Sequence, residues 1–452
     1  MKPNILLLMT DQQRADALGC VTPWMETPHM DRIAAEGVRF SRCVTNSPVC
    51  IPTRRSMASG HYPHNTGIWR NQTTTLDPEA PNWMRAVRDA GYRTSVFGKT
   101  HLNHAGADLR EKAHLLTAQG IDDVYETVGP RQCARTLSHM TAEWESLGIW
   151  DAYKRDFAER FATKPHLVQP SPLGFEHYYD THVGQKAKAY LEAYERDQPW
   201  FCWVTFGGPH EPWDTPEPWF SHYDPARMPP ALSGDLRAGH RPEGHLDALR
   251  TGMPAMTPDE VAALRANYAG NVSLIDDQVG QLFSVIERRG EWQNTVVVLC
   301  SDHGEMNGDY DIIYKSNFLN SAVRVPLLVK GPGVARGVCE GPVEWFDVGP
   351  TLAEFAGTEL DFEQFAVSLL PSLRDPAVET RSDALSEIHG EAMVMDKRWK
   401  CAVNAEGKAY LLFDLETDPA ESTNLAGLPD YRDVEERLRL RILERMMTAQ
   451  FT

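Results

Sequence analysis

The sequence predicts an α/β fold: a central, mostly parallel sheet flanked by helices, followed by a small antiparallel sheet with a terminal helix. Three observations carry this. Residues 4–10, 199–206 and 295–301 are apolar almost throughout rather than alternating, as strands covered on both faces must be. Segments of helical period separate them. Beyond about residue 375 the chain changes to short strand-like runs at hairpin spacing (392–395, 399–403 and 410–415), then a charged amphipathic segment at 430–448.

Taken in order, residues 4–10 form a first buried strand, ended by Asp11-Gln12-Gln13. Residues 28–37 read as a short helix and 38–45 as a strand. In the next stretch, Pro48 and Pro52 disfavour helix in the residues before them. Pro52 suits a first helical turn and Gly60 a C-terminal stop. Cys50 therefore sits at or just before a helix N-terminus, with Arg54 one turn on. Free N–H groups, the helix dipole and a guanidinium converge on its sulfur, a setting that lowers a thiol pKa and binds anions.

Residues 78–90 read as an amphipathic helix with Trp83, Met84 and Val87 on one face, and 93–97 as a strand ending in Gly98-Lys99-Thr100-His101. Residues 102–180 mix charges, Gly, Pro and isolated aromatics, and are expected to be an insertion of loops and short helices, where specificity often resides. A helix is expected at 186–197, and the strand at 199–206 ends in Gly207-Gly208-Pro209-His210-Glu211. Residues 214–256 form a Pro- and Gly-rich excursion. Thr257, Pro258 and Glu260 have cap, N1 and N3 chemistry for a helix reaching about residue 289, with a bend expected near Gly270. The strand at 295–301 ends in Asp302-His303-Gly304-Glu305, a further strand follows at 325–330 and a helix at 347–355. The expected division is a catalytic domain over 1–375, with 102–180 and 214–256 as insertions or long loops, and a small subdomain over 376–452. There is no internal repeat or low-complexity segment.

The 452 residues suffice for one large core and a smaller one. A net charge of -18 argues against a nucleic-acid partner. Any anionic substrate then needs a locally basic site against an acidic background. The eight cysteines are scattered with no C-x-x-C pair, which fits a reducing, cytoplasmic setting. Cys43 and Cys300 lie in apolar runs and read as core thiols. The apolar start is too short for a secretory h-region, and no run reaches transmembrane length, so no membrane partner is expected.

Asp11 and Asp302 each follow a buried strand. Taken singly, each is an ordinary strand-terminating turn residue. Together with Gln12 and His303 they read better as a divalent-metal site, because neighbouring carboxylates repel unless a cation lies between them. The donor set is mostly oxygen with one imidazole, suiting Ca²⁺, Mn²⁺ or Mg²⁺. His64, His104 and His182 have no supporting motif and read as polar surface. Trp200, Trp203, Trp213 and Trp219 read as core or loop packing.

The ordered set Asp11-Gln12, Cys50-x-Pro52-x-Arg54 with Gly60, Gly98-Lys99-x-His101, His210 and Asp302-His303 resembles the type I sulfatases of the alkaline phosphatase superfamily. The resemblance runs from residue 4 to about 330, with a further stretch at 410–424. It is nearest the choline-sulfatase and phosphonate monoester hydrolase branches, since Asp-Gln stands here where many sulfatases have two consecutive Asp. It implies an alkaline-phosphatase-like fold and conversion of Cys50 to Cα-formylglycine by a maturation enzyme. One hydroxyl of the hydrated aldehyde then attacks sulfur or phosphorus. It implies a metal, Ca²⁺ foremost, held by Asp11, Gln12, residue 50, Asp302 and His303. Lys99, His101 and Arg54 would sit beside the nucleophile, and His210 and Lys315 near the leaving group. Asn71 resembles a polar residue near the ester in the phosphonate hydrolase branch.

The implied activity is hydrolysis of sulfate monoesters to sulfate and an alcohol. The alternative is phosphonate monoester or phosphodiester hydrolysis by the same groups. A non-catalytic metal- or anion-binding relative would need a lost catalytic group, and none is missing. The expected partner is a small anionic ester, and a homo-oligomer is left open.

Overall fold

The computed structural model describes residues 2–450 apart from 235, 237–245, 247, 248, 250 and 251. The excursion expected at 214–256 falls partly outside the described residues.

Eight strands form the main sheet: β1 (Asn4–Asp11), β2 (Val38–Val44), β3 (Arg93–Gly98), β4 (Asp123–Glu126), β5 (Trp200–Pro209), β6 (Thr295–Ser301), β7 (Leu327–Lys330) and β8 (Gly337–Glu344). Their order is β4-β3-β5-β1-β6-β7-β2-β8. Only β7 runs against its neighbours; the other pairings are parallel. β1 lies at the centre, Leu7 pairing with Trp203 on one side and Val298 on the other, and it is buried along its whole length. Each of its four successive aliphatic side chains gains about 1.5–3 kcal/mol from that burial. Apolar clusters occupy both faces of the sheet, which is why β1, β5 and β6 are apolar rather than alternating.

The topology positions the site. β3, β5, β1, β6 and β2 share one direction, so the residues just beyond each of them emerge along one edge of the sheet. That edge, the carboxyl ends of the strands, is where open α/β sheets place ligands.

A second, antiparallel sheet follows, ordered β12-β11-β10-β9: β9 (Ala384–Ile388), β10 (Glu391–Met395), β11 (Trp399–Val403) and β12 (Ala409–Asp414). The terminal helix Arg432–Thr448 packs on β10, β11 and β12.

Several elements differ from expectation. The helix expected at 78–90 begins only at Trp83, because Asn82 caps it by accepting from Arg85 N at 3.0 Å. The helix expected at 186–197 is Tyr179–Glu192. The helix Pro258–Arg288 is continuous. Gly270 within it marks a close approach rather than a bend: a Cβ there would lie 2.3 Å from the Trp219 carbonyl oxygen. The 102–180 segment is more regular than expected, contributing β4 and the helices His139–Ser146 and Trp150–Thr163. β8 and β9 were not expected, since β8 opens with Gly337 and contains Pro342.

Candidate active site

Cys50 is the first residue of the helix Cys50–Ser59, as Pro52 requires. Gly60 ends that helix in the left-handed region at φ 71° and donates to Ser56 O at 2.7 Å. The Cys50 Sγ is buried, 3.0 Å from His303 Nε2. One helical turn on, Arg54 is fully engaged. Its Nε donates to Asp302 Oδ2 at 2.8 Å, one amino group to Asp11 Oδ2 at 3.1 Å, and the other to Thr205 Oγ1 at 3.2 Å and to Lys99 O. The guanidinium thus fixes the ends of β1 and β6 against each other.

Lys99, just past β3, donates its ammonium to Asp11 Oδ2. Burial opposes ionisation of Asp11, but Lys99, His210 and Arg54 together outweigh it and hold the carboxyl below its ordinary range. Burial also opposes a thiolate at Cys50, yet Lys315 and Lys99 bring that thiol well below its usual value. His101 follows at φ 56°; burial and Lys99 push it down to about 4, leaving a neutral imidazole whose Nδ1 is buried without a partner.

Asp11, Cys50, Asp302 and His303 each offer one ligand atom, and these atoms all lie within 4.8 Å of one another. Asp11 Oδ1 is buried with no hydrogen-bond partner. His303 Nε2 stands 3.9 Å from that oxygen and 3.7 Å from Asp302 Oδ1. An orphaned buried carboxylate oxygen facing an imidazole and a second carboxylate is a donor set that fits a divalent cation.

Gln12 lies beside this group. Its Oε1 accepts from Lys315, and its amide donates to Glu211 Oε2 at 3.0 Å and to Glu305 Oε2. His210 follows β5 and turns its Nδ1 toward Glu211, 2.7 Å from the carbonyl oxygen and 3.2 Å from Oε2. Asn71 Oδ1 accepts from Ile51 N at 2.9 Å, so it borders the nucleophile's own turn. The structure therefore brings all eleven sequence-nominated residues to one edge of the sheet. Beside them a cavity of about 220 Å³ is lined by Asn71, Thr74, His101, Asn103, Glu126 and Gln132, among others.

Residues that the sequence reading missed complete the surroundings. Glu211 and Glu305 both hold Gln12. Burial opposes ionisation of Glu211, but His210 and Arg131 bring it down to about 2, whereas burial and the neighbouring Glu211 push Glu305 up to about 7. Their signal was adjacency, each lying within three residues of a nominated histidine or aspartate. Arg131, in the 102–180 segment, had none.

Two expected surface histidines are drawn inward instead, His182 buried and His64 half-buried. His64 accommodates Glu387 at Nδ1, 2.6 Å away, and stacks on Tyr62; His182 meets Tyr125 OH at 2.8 Å. His104 is exposed as expected. Trp200, Trp203 and Trp213 are core residues.

A family model described as Sulfatase matches residues 3–358. The chain belongs to the sulfatase family. It is a sulfuric ester hydrolase. Among curated relatives, choline-sulfatase of Rhizobium meliloti is 29% identical over 458 residues, covering 95% of this chain and 83% of that one. The multifunctional alkaline phosphatase superfamily protein PehA of Trinickia caryophylli is 28% identical, covering 95% and 92%. Among solved structures, phosphonate monoester hydrolase of Agrobacterium radiobacter superposes with a TM-score of 0.78 at 25% identity, covering 99% of this chain and 95% of that one. These likenesses carry the alkaline-phosphatase-like fold. No helix among the described residues is long and apolar enough to cross a membrane.

Proposed function

We propose that this sulfatase hydrolyses sulfate monoesters with a nucleophile made from Cys50 by oxidation to formylglycine, beside one divalent cation, Ca²⁺ foremost. The observation that carries this reading is the position of the Cys50 Sγ. It is buried at a helix N-terminus, 3.0 Å from His303 and within 4.8 Å of the Asp11 and Asp302 oxygens. Formylglycine there would supply a hydrated aldehyde as the nucleophile, and a divalent cation would supply Lewis-acid chemistry at the ester.

The protein's own residues do the rest. Asp11, Gln12, Asp302 and His303 would hold the cation, and Arg54 keeps the two aspartates in register. Lys99 and Lys315 neutralise charge on the ester, and Asn71 hydrogen-bonds it. His101, buried beside Cys50, would take a proton from the diol as sulfate is eliminated. His210 protonates the departing alcohol. The 1–375 segment serves as the catalytic domain and 376–452 as its support. The cysteines are scattered along the chain with no C-x-x-C pair, which supports a reducing cytoplasmic setting.

Peptide mass decides the nucleophile. Protein made with a competent maturation enzyme should carry a lighter, hydrazide-reactive residue 50; a pure thiol peptide in fully active enzyme refutes the proposal. The second reading is phosphonate monoester or phosphodiester hydrolysis. It is favoured by the TM-score of 0.78 against a phosphonate monoester hydrolase. Parallel kcat/KM values for an aryl sulfate and a phenyl phosphonate ester separate the two.

A further inference from the structure

Arg131 is the cation of this site that the chemistry above does not use. It lies on the short helix Pro130–Cys133, in the segment between β4 and β5. The turn that presents it is laid directly on the catalytic lysine: a Cβ on Gly129 would come within 3.2 Å of Lys99 Cε and Nζ. Its guanidinium is packed by two rings, Phe161 at 5.0 Å and Tyr314 at 5.1 Å, and Trp213 stacks on Tyr314 at 5.7 Å. This orients the planar fork and limits its freedom.

One amino group of the fork pairs with Glu211. The pair leaves part of the fork unused: Nε is buried with no hydrogen-bond partner. Nor does Glu211 require Arg131 alone, since Gln12 donates to it at 3.0 Å and His210 stands 3.2 Å away. The side chain is 41% exposed, so part of it is open to a ligand. Glu211 connects it to the centre, since Gln12 donates to that carboxylate and accepts from Lys315.

We propose that Arg131 is a specificity residue that takes a second anionic group, carried on the alcohol part of the substrate, so that this enzyme prefers esters bearing a carboxylate, sulfate or phosphate besides the one it cleaves. A fixed guanidinium fork with free donors matches such oxyanions bidentately. It also disfavours a leaving group carrying a quaternary ammonium, by like charge. The inference rests on the proposed reaction only in assuming that the ester sits between Cys50 and Lys315.

Unhydrolysable sulfonates test it apart from turnover. Calorimetric binding compares benzenesulfonate with benzene-1,3-disulfonate and 3-sulfobenzoate, the last two distinguishing a second sulfonate from a carboxylate. Wild type should bind at least one dianion about tenfold to a hundredfold more tightly than the monoanion. Arg131→Gln should bring the ratio of dianion to monoanion affinity to about one, and Arg131→Lys should keep part of it. No preference in wild type, or an equal loss for monoanion and dianion in Arg131→Gln, overturns the inference. Failure of wild type to hydrolyse a nitrophenyl sulfate would count against the sulfate-ester reading and leave the sulfonate ratio standing.

Discussion

Arg445, in the last turns of the terminal helix, ties that helix to the main sheet through a buried charge network. One amino group donates to Asp383 O at 3.1 Å and to the Asp383 carboxylate; the other donates to Tyr62 OH at 2.6 Å and to Glu344 Oε1 at the end of β8. Glu344 in turn holds Asn46 Nδ2 at 3.0 Å, in the segment leading to Cys50. Breaking a buried pair costs about 3–5 kcal/mol. For Arg445→Met the lower end applies, because neither carboxylate is left without a cation. Glu344 keeps Arg381 at 3.8 Å, and Asp383 keeps Arg441 at 2.7 Å. Arg381→Met should cost more, toward about 5 kcal/mol, since the Arg381 fork (2.8 and 2.6 Å) is the one ion pair of Asp347 among the described residues.

The pH dependence has a definite sign. Burial pushes Glu344 up, but Arg381 and Arg445 pull it below its ordinary value. A depressed carboxyl contributes stability above its unfolded pKa and loses it as pH falls through the folded one. The gap between wild type and Arg445→Met should therefore be constant from pH 6 to 8 and shrink on acidification below the ordinary glutamate range. Urea unfolding followed by tryptophan fluorescence, with limited proteolysis of the terminal helix, measures both. An Arg445→Met midpoint equal to wild type, or a penalty that grows in acid, refutes the network account.

Chelation should remove most activity and Ca²⁺ or Mn²⁺ should restore it; undiminished turnover in metal-stripped protein counts against the reading of Asp11, Asp302 and His303 as ligands. Cys50→Ala should lose nearly all turnover while unfolding cooperatively, measured by initial rates and urea denaturation side by side. His210→Ala should slow unactivated alkyl esters by about a hundredfold or more and nitrophenyl esters far less, because only a basic leaving group needs a proton as it departs. An equal penalty across a series of leaving-group pKa values would make His210 a positioning residue. Lys315→Ala should show a shallower version of the same trend, since an ammonium acts through charge alone.

The parts of the site legible in the sequence are those that sit at strand ends. β1, β5 and β6 announce themselves by apolar runs, and Asp11, His210 and Asp302 follow within a residue or two of each. Once the strands are taken as parallel, these residues must emerge on one edge, so their convergence follows from local pattern and one rule of topology. Cys50 was legible for a different reason: Pro52 and Gly60 fix the limits of its helix locally. What was not legible depends on partners distant in sequence. Glu344 is an ordinary glutamate until Arg381, Arg445 and Asn46 are brought around it. His64 reads as a surface residue until β9 delivers Glu387 to its Nδ1. The helix Pro258–Arg288 resisted in another way: Gly270 has the chemistry of a bend, and only the approach of the Trp219 carbonyl gives it its purpose.

The same distinction bears on how this fold divides its labour. A protein with a net charge of -18 must gather cations locally to hold an anionic ester. Arg54 and Lys99 do so from the scaffold, buried and committed to Asp11 and Asp302, where they cannot vary without disturbing the ends of β1 and β6. Arg131 is supplied by the segment between β4 and β5, held by rings rather than by the sheet, with donors to spare. A change at Arg131 alters the reach of the site without touching the Asp11–Arg54–Asp302 lock. Chemistry fixed at the strand ends and selectivity carried on an inserted segment is the arrangement that lets one sheet act on many esters. It follows that replacing Arg131 alone should shift preference among esters while leaving the unfolding midpoint near that of wild type, whereas any loss at Arg54 should move both together.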